Sequence, residues 1–441
     1  MSTCFRPLTV TGALLAALAV PALVPTAASA ATVGLTPAAG IAVTSHLTAT
    51  GTQTTRFASS WRRNQHTAPA RRLPRRTPVL HAPTPVGIVA PVAGTSVPVT
   101  PVPVTPVPST SAPAAVAPVS SPAKAGPEFG AQFHGMWSSY TDAQRDQVLS
   151  TMAANGVKSV RIDVSWAMLQ PTGPGSYDAW GVGFVDSVIN RAHAHGLDPI
   201  VTLWLTPAWA NGGAGEHALP TNPADYARAA QWAAHRWAGK VSGWEVWNEP
   251  NSPDFMVGAS PTAYAALLKA AYPAFHAGDA SANVVFGGPQ YVDVDWVAET
   301  LAAGATDSFD TMGVHPYMGM ADTSPKLADD GTMWNLQHVK VLHDLLVSHG
   351  RGSAPLWFTE FGWSVQPTAA DAPNWQRGVT ATQQATYLQQ TVRLVRATMP
   401  YVTRMFWYED LVGIEDGYNG GYGLVRQDGS ATPALQAVAS A

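Results

Sequence analysis

The chain has 441 residues, 46% of them hydrophobic, and a formal net charge of −4. Its single cysteine, Cys4, excludes a disulfide framework, and a cysteine-based metal centre with it. The charge is divided: eight Arg, one Lys and no acidic residue precede Glu128, while all 29 acidic residues follow, so the later part is a poor match to nucleic acid or another strong polyanion.

The N-terminus reads as a processing signal. Arg6 gives a positive start, an apolar run follows over residues 8–24, and Ala28-Ser29-Ala30 supplies small residues for cleavage before Ala31. The run is interrupted by Pro21 and is followed by Pro25, which argues against a spanning helix, and no later stretch is long and apolar enough to cross a bilayer. Residues 1–30 are therefore expected to be a signal peptide, and the mature protein to be secreted or associated with the cell envelope, without a transmembrane segment and without thiols. Residues 31–76 carry the arginine pairs Arg62-Arg63, Arg71-Arg72 and Arg75-Arg76 in an Ala/Thr-rich background with little apolar periodicity, the pattern of disorder. Two readings of those arginines stay open: contact with anionic envelope polymers, or a solvated basic tail. Over residues 77–127 dense proline among Val, Thr, Ala and Ser predicts an extended, stiff tether.

From residue 128 to 441 the pattern becomes alternating strands and amphipathic helices. Strands are expected to begin near Phe129, Ser159, Pro199, Gly243, Asn283, Phe309, Pro355 and Val402. Thr141 and Gln144 form a capping box opening a helix that stops at Gly156. Tyr226, Ala230, Ala233 and Trp237 make one apolar stripe, and further helices are expected over 333–349 and 380–399. Strict alternation means a parallel sheet, and eight repeats suggest an α/β fold of the (β/α)8 barrel type, with its working residues where strands end. A doubly wound open sheet is the competitor, but Phe133-His134-Gly135-Met136 is not the glycine-rich phosphate loop it requires.

Two strings dominate the strand ends: Trp244-Glu245-Val246-Trp247-Asn248-Glu249-Pro250-Asn251 and Trp357-Phe358-Thr359-Glu360-Phe361-Gly362-Trp363-Ser364. Glu249 falls at the end of strand 4 and Glu360 at the end of strand 7, which sets them across the barrel mouth. Pro250 is expected to keep Glu249 extended at the strand's final position. Paired carboxylates of this kind are what glycosidic-bond hydrolysis uses. Glu245, four residues earlier, reads as structural.

These motifs resemble the clan A glycoside hydrolases, retaining (β/α)8 enzymes, over residues 129–441; Trp-Asn-Glu-Pro-Asn and Thr-Glu-Phe-Gly-Trp look most like family 39, with cellulase-like family 5 next. The resemblance implies Glu249 as acid/base and Glu360 as nucleophile. It implies that Arg161 bonds the nucleophile, although an Arg161–Asp163 structural pair is the alternative. Asn248 is expected at the sugar 2-hydroxyl, Tyr317 on the nucleophile, His315 and His134 along the first sugar subsite, and Trp407 or its neighbour Tyr408 as the aromatic platform beneath the sugar. Trp137, Trp166, Trp204, Trp209 and Trp363 follow or end strands, and some of them are expected to touch substrate. Burial among Trp244, Trp247 and Trp357 is expected to help raise the pKa of Glu249. His193 and His195 read as helix-end residues rather than metal ligands. No metal or cofactor is expected, the substrate is a carbohydrate, and the chain is expected to be a monomer. An inactive carbohydrate-binding barrel and a metal-dependent hydrolase are the other classes compatible with this fold.

Overall fold

The computed structural model describes residues 126–440. The expected leader, arginine-rich segment and all but the end of the proline-rich tether lie outside the described residues. Eight strands close in sequence order into an all-parallel barrel. They are β1 (Glu128–Gln132), β2 (Ser159–Ser165), β3 (Asp198–Trp204), β4 (Gly243–Val246), β5 (Val284–Phe286), β6 (Thr311–Val314), β7 (Leu356–Phe361) and β8 (Val402–Trp407). Each begins within two residues of its expected position.

The principal helices are α1 (Asp142–Ala154), α2 (Ala179–Ala194), α3 (Pro223–Arg236), α4 (Pro261–Gly278), α5 (Val294–Thr300), α6 (Val339–Ser348), α7 (Ala381–Thr398) and α8 (Pro433–Val438). The capping box forms at α1: Thr141 accepts from the Gln144 amide, and the Gln144 side chain reaches back to Thr141. Thr380 and Gln383 repeat the device at α7. The α3 stripe is buried through Tyr226, Ala230 and Ala233. The helix expected from residue 333 starts later. Asn335 turns its side chain onto the Gln337 amide and opens a short 3-10 turn, Leu336–His338, that leads into α6. That cap leaves Trp334 outside the helix. His193 and His195 fall at the end of α2, on the Lys240 carbonyl and Asp146 respectively.

Period-two alternation divides each strand between barrel interior and helix layer. On β2, Val160, Ile162 and Val164 join the large core beneath the helices, while Arg161 and Asp163 are turned into the barrel. Ile200, Val285, Trp357 and Phe406 form a separate apolar cluster that plugs the interior. Gly130 makes room for it: a Cβ there would stand 2.5 Å from the Phe406 ring. Trp244, by contrast, stacks on Phe275 in the helix layer, while Trp247 meets Trp204 and donates its Nε1 to the Phe255 carbonyl. With Trp357 in the plug and Trp244 against a helix, neither of these two forms the expected pocket around Glu249.

Candidate active site

The site is organised around one buried cation. Arg161 is fully enclosed, and its guanidinium donates through Nε to Glu245 Oε2 (2.7 Å), through Nη1 to Gln132 Oε1 (2.7 Å) and Glu360 Oε1 (2.9 Å), and through Nη2 to Asn248 Oδ1 (2.9 Å). A planar fork is suited to such divergent acceptors where a lysine is not. Asp163 Oδ1 lies 3.6 Å away, so Arg161 both pairs with Asp163 and bonds Glu360. Glu245 is tied further by Thr202 Oγ1 (2.6 Å) and the Gly288 amide (3.1 Å), the structural part the sequence suggested.

Glu249 does not sit on an extended backbone. Strand β4 ends at Val246, and both Trp247 (φ 72°) and Glu249 (φ 42°) take positive φ. Proline's steric preference at the preceding residue is overridden, and strained backbone of this kind is characteristic of functional sites. The turn delivers the Glu249 carboxylate to His315 Nδ1 (2.9 Å, at Oε1) and to Gln290 Nε2 (2.9 Å, at Oε2). Glu360, on β7, receives Arg161 at Oε1 and the Tyr317 hydroxyl at Oε2 (3.0 Å). His315 Nδ1 is also 3.7 Å from Glu360 Oε2. Donor atoms of Glu249, His315 and Glu360 all lie within 4.8 Å of one another.

The two carboxyls therefore share a poorly solvated space, and their acidities respond. Burial, reinforced by the charge of Glu360, holds Glu249 well above the usual carboxyl range. Burial also pushes Glu360 up to about 7, although Arg161 beside it pulls the other way. Burial and the neighbouring guanidinium hold His315 well below an ordinary histidine, so its ring is neutral. The arrangement favours one proton on Glu249 and an ionised Glu360.

Beyond Glu360 runs an aromatic wall. Tyr317 meets Tyr422 edge-on (6.1 Å), Tyr422 meets Tyr408 (5.4 Å), and Tyr408 meets His134 (5.6 Å). The Tyr408 hydroxyl donates to Glu415 Oε1 (2.6 Å). His134 lies two residues beyond β1, where Nδ1 meets Asp410 Oδ1 (2.9 Å); Tyr140 donates to the same carboxylate (2.6 Å). Burial opposes a charge on His134, yet Asp410 lifts its pKa above the ordinary value.

Trp407 is not in this wall. Alternation along β8 turns Phe406 inward and Trp407 outward, where its ring packs on Phe361 (5.3 Å) and Nε1 donates to the Tyr422 carbonyl (2.9 Å). Tyr408, the first residue beyond β8, is the aromatic that joins the wall, between His134 and Tyr422. Trp137, Trp166, Trp204 and Trp363 are likewise sealed, each 2% exposed or less. Four residues of the site had no role of their own read in the sequence: Gln290, just beyond β5, Asp410 and Glu415 beyond β8, and Tyr422, whose glycine-rich segment 417–423 reads only as a loop near the cleft. Only the Tyr408-Glu409-Asp410 run directly after a strand was a local signal, and nothing near Gln290 marks a carboxylate partner.

Glu249, His315 and Glu360 are close enough to hold a cation. Arg161 already supplies a fixed positive charge at Glu360 Oε1, and a divalent ion there would have to compete with it.

A closed parallel barrel with two buried carboxyls, one just beyond β4 and one near the end of β7 itself, defines the class of barrel glycosidases. The cellulase (glycosyl hydrolase family 5) family model matches residues 121–397, and the chain belongs to that family. Solved structures of similar fold come from both families that the motifs suggested. A family 39 glycoside hydrolase from Bacteroides cellulosilyticus WH2 matches with TM-score 0.57 at 23% identity, over 71% of this chain and 63% of that one. A GH5_18 enzyme from Streptomyces cattleya, in complex with Manβ1-4GlcNAc, matches with TM-score 0.56 at 21% identity, over 71% and 79%. Among curated proteins, a chloroplastic benzoxazinone glucoside β-D-glucosidase of Triticum aestivum is 28% identical over 99 residues, 22% of this chain. That match spans only 18% of the wheat protein's length.

Proposed function

We propose that this protein is an exported, retaining β-glycosidase in which Glu360 attacks the anomeric carbon and Glu249 serves as acid and then base. The observation that carries the reading is the closeness of the two carboxyls: an oxygen of Glu249 and an oxygen of Glu360 lie within 4.8 Å of each other, which favours the narrow spacing over the wide one. Retaining enzymes separate the two carboxyls by about 5–5.5 Å and inverting enzymes by about 6.5–9.5 Å.

The chemistry follows from the proton distribution. Glu249 protonates the departing glycosidic oxygen while Glu360 forms an ester with the sugar. Once Glu360 is esterified its charge is gone, Glu249 becomes the stronger acid, and it is free to take a proton from the incoming water. Arg161 and Tyr317 stabilise the Glu360 carboxylate before attack and again when it is released. Asn248, its Oδ1 held by Arg161, presents its amide nitrogen as the donor for a sugar hydroxyl beside the anomeric carbon. Tyr408, rather than Trp407, is the platform beneath the sugar, with His134 and Glu415 at its edge.

The catalytic domain spans 128–441 and is carried to the envelope or medium by the leader, with the arginine-rich segment and tether before it. Among the described residues no helix is long and apolar enough to cross a membrane. The wheat and Streptomyces cattleya relatives make β-glucosides and β-mannosides the first sugars to try. The test is hydrolysis of a panel of aryl β-glycosides and β-linked polysaccharides by the full chain, with and without EDTA, following the product anomer by NMR. Release of the β-anomer first, unaffected by EDTA, is expected. Release of the α-anomer would refute the double displacement, and loss in EDTA would favour a metal at the Glu249–His315–Glu360 trio.

The acid limb of the pH profile offers a second check. Glu360 must be ionised, so kcat/KM falls as pH drops through its pKa. The Tyr317 hydroxyl lowers that pKa by donating to the carboxylate. Tyr317→Phe is therefore expected to move the acid limb to higher pH and to cut kcat/KM about tenfold or more at neutral pH. An acid limb that stayed put or moved down would exclude Glu360 as the group that titrates there.

A further inference from the structure

The geometry points to Trp334 and Tyr291 as the platform that receives the leaving-group sugar, on the Glu249 side of the cleft. This inference rests on the glycosidase reading above and adds to it a binding surface outside the Glu360 wall.

An acid donates to the leaving oxygen, so whatever flanks Glu249 away from Glu360 faces the departing group. Gln290, on Glu249 Oε2, marks that flank. The next residue, Tyr291, holds φ of 60°, a conformation that a bulky side chain avoids unless its surroundings enforce it. The enforcement is visible: Tyr291 bridges to His315, and the adjacent Val292 amide donates to the Met333 carbonyl (3.0 Å). The phenol feels the charge of Glu249, and its ring meets Trp334 edge-on with centroids 4.5 Å apart.

Trp334 is 46% exposed, unlike the sealed strand-end tryptophans. It is also fixed. Gly319 donates its amide to the Trp334 carbonyl (2.8 Å), and a Cβ on Gly319 would stand 2.6 Å from the Trp334 side chain, so the indole lies directly on a glycine backbone. Met320, 47% exposed, follows that glycine on the same loop. A rigid, half-exposed indole one ring beyond Tyr291 has the shape and polarity to stack on the apolar face of a pyranose. The occupant is the second ring of the substrate itself, the one cleaved away.

The experiment compares the full-length parent with Trp334→Ala on three substrates bearing the same β-sugar: a 1,4-linked disaccharide, a p-nitrophenyl glycoside and a glycosyl fluoride. Fluoride leaves without placing a ring on the platform. kcat/KM reports events through the first irreversible step, so it reads leaving-group binding directly. The expected result is a loss of about tenfold on the disaccharide and the nitrophenyl glycoside. Activity on the fluoride is expected to stay within about twofold of the parent. Equal losses on all three substrates would mean that the residue acts on the fold or the bound glycone, and would overturn the inference. No loss on any would overturn it as well. A parent that turned over none of the three, or any other glycoside of the panel, would refute the glycosidase reading and this inference with it. Tyr291→Ala, read beside the first variant, is expected to fall on the same two substrates by a similar factor.

Discussion

Replacing Glu360 by glycine is expected to lower kcat/KM on an aryl β-glycoside by about 10⁴-fold or more, and added azide is expected to restore turnover with an α-glycosyl azide as product. The cavity left by the side chain admits one small anion on the face that the carboxylate used. It attacks once, no second displacement follows, and the configuration inverts. Glu249→Ala is expected to behave differently. Hydrolysis of unactivated glycosides should drop about 10²–10⁴-fold, the range for loss of general acid help. A dinitrophenyl glycoside, whose leaving group needs no proton, should still transfer its sugar to Glu360 and release dinitrophenolate. Azide then needs no base and displaces the sugar from the other face, giving the β-glycosyl azide. Product configuration, read by NMR, thus separates the two roles. A β-azide from Glu360→Gly, or an α-azide from Glu249→Ala, would reverse the assignment. No azide effect with either would remove the covalent step altogether.

The second large effect belongs to Arg161. Five side chains, three of them carboxylates, converge on this enclosed guanidinium, so Arg161→Met leaves Glu245, Asp163 and Glu360 buried without a counter-charge. Deleting one partner of a buried pair costs about 3–5 kcal/mol, because the remaining charge is left unpaired. Urea titration at neutral pH should show that loss. The pH dependence has a definite sign. Glu360 and Asp163 already have raised pKa values in the folded protein, and removing the cation raises them further. A carboxyl whose folded pKa exceeds its unfolded one destabilises progressively as pH climbs from the unfolded value to the folded one. The deficit should therefore be greatest at neutral pH and above, and shrink toward pH 4 as both states take up protons. A deficit that grew on acidification would show that the arginine serves some purpose other than neutralising these carboxyls.

Much of the barrel is legible in the chain because its signals are local. Strand–helix alternation fixes the layer order, a Thr–Gln capping box marks the start of α1, and Asn248-Glu249-Pro250 and Thr359-Glu360-Phe361 stand where strands end. What the chain hides depends on direction and on distant partners. Trp407 and Tyr408 are neighbours with opposite orientations, and a single step of strand register decides which one meets the cleft. The turn at Glu249 is set by the fold around it, against the preference of the following proline. Gln290 and Asp410 find their partners, Glu249 and His134, across gaps of 41 and 276 residues. Trp334 reads as the first turn of a helix until the Asn335 side chain is seen to start that helix later.

The residues around the guanidinium are divided unequally along the chain. Gln132, Arg161, Glu245 and Asn248 all come from the first four strands, whereas Glu360 and its partner Tyr317 come from the last four. The first half of the barrel is thus a prepared socket, hydrogen-bonded within itself, in which the guanidinium is held among Gln132, Glu245 and Asn248. The second half plugs a carboxylate into it. Recombining halves between related barrels at the β4–β5 connection would consequently exchange Glu360 together with Tyr317, Tyr408 and Tyr422, while Arg161 keeps its first-half partners. Sugar preference in this lineage could change by such exchange without dismantling the electrostatics on which catalysis depends.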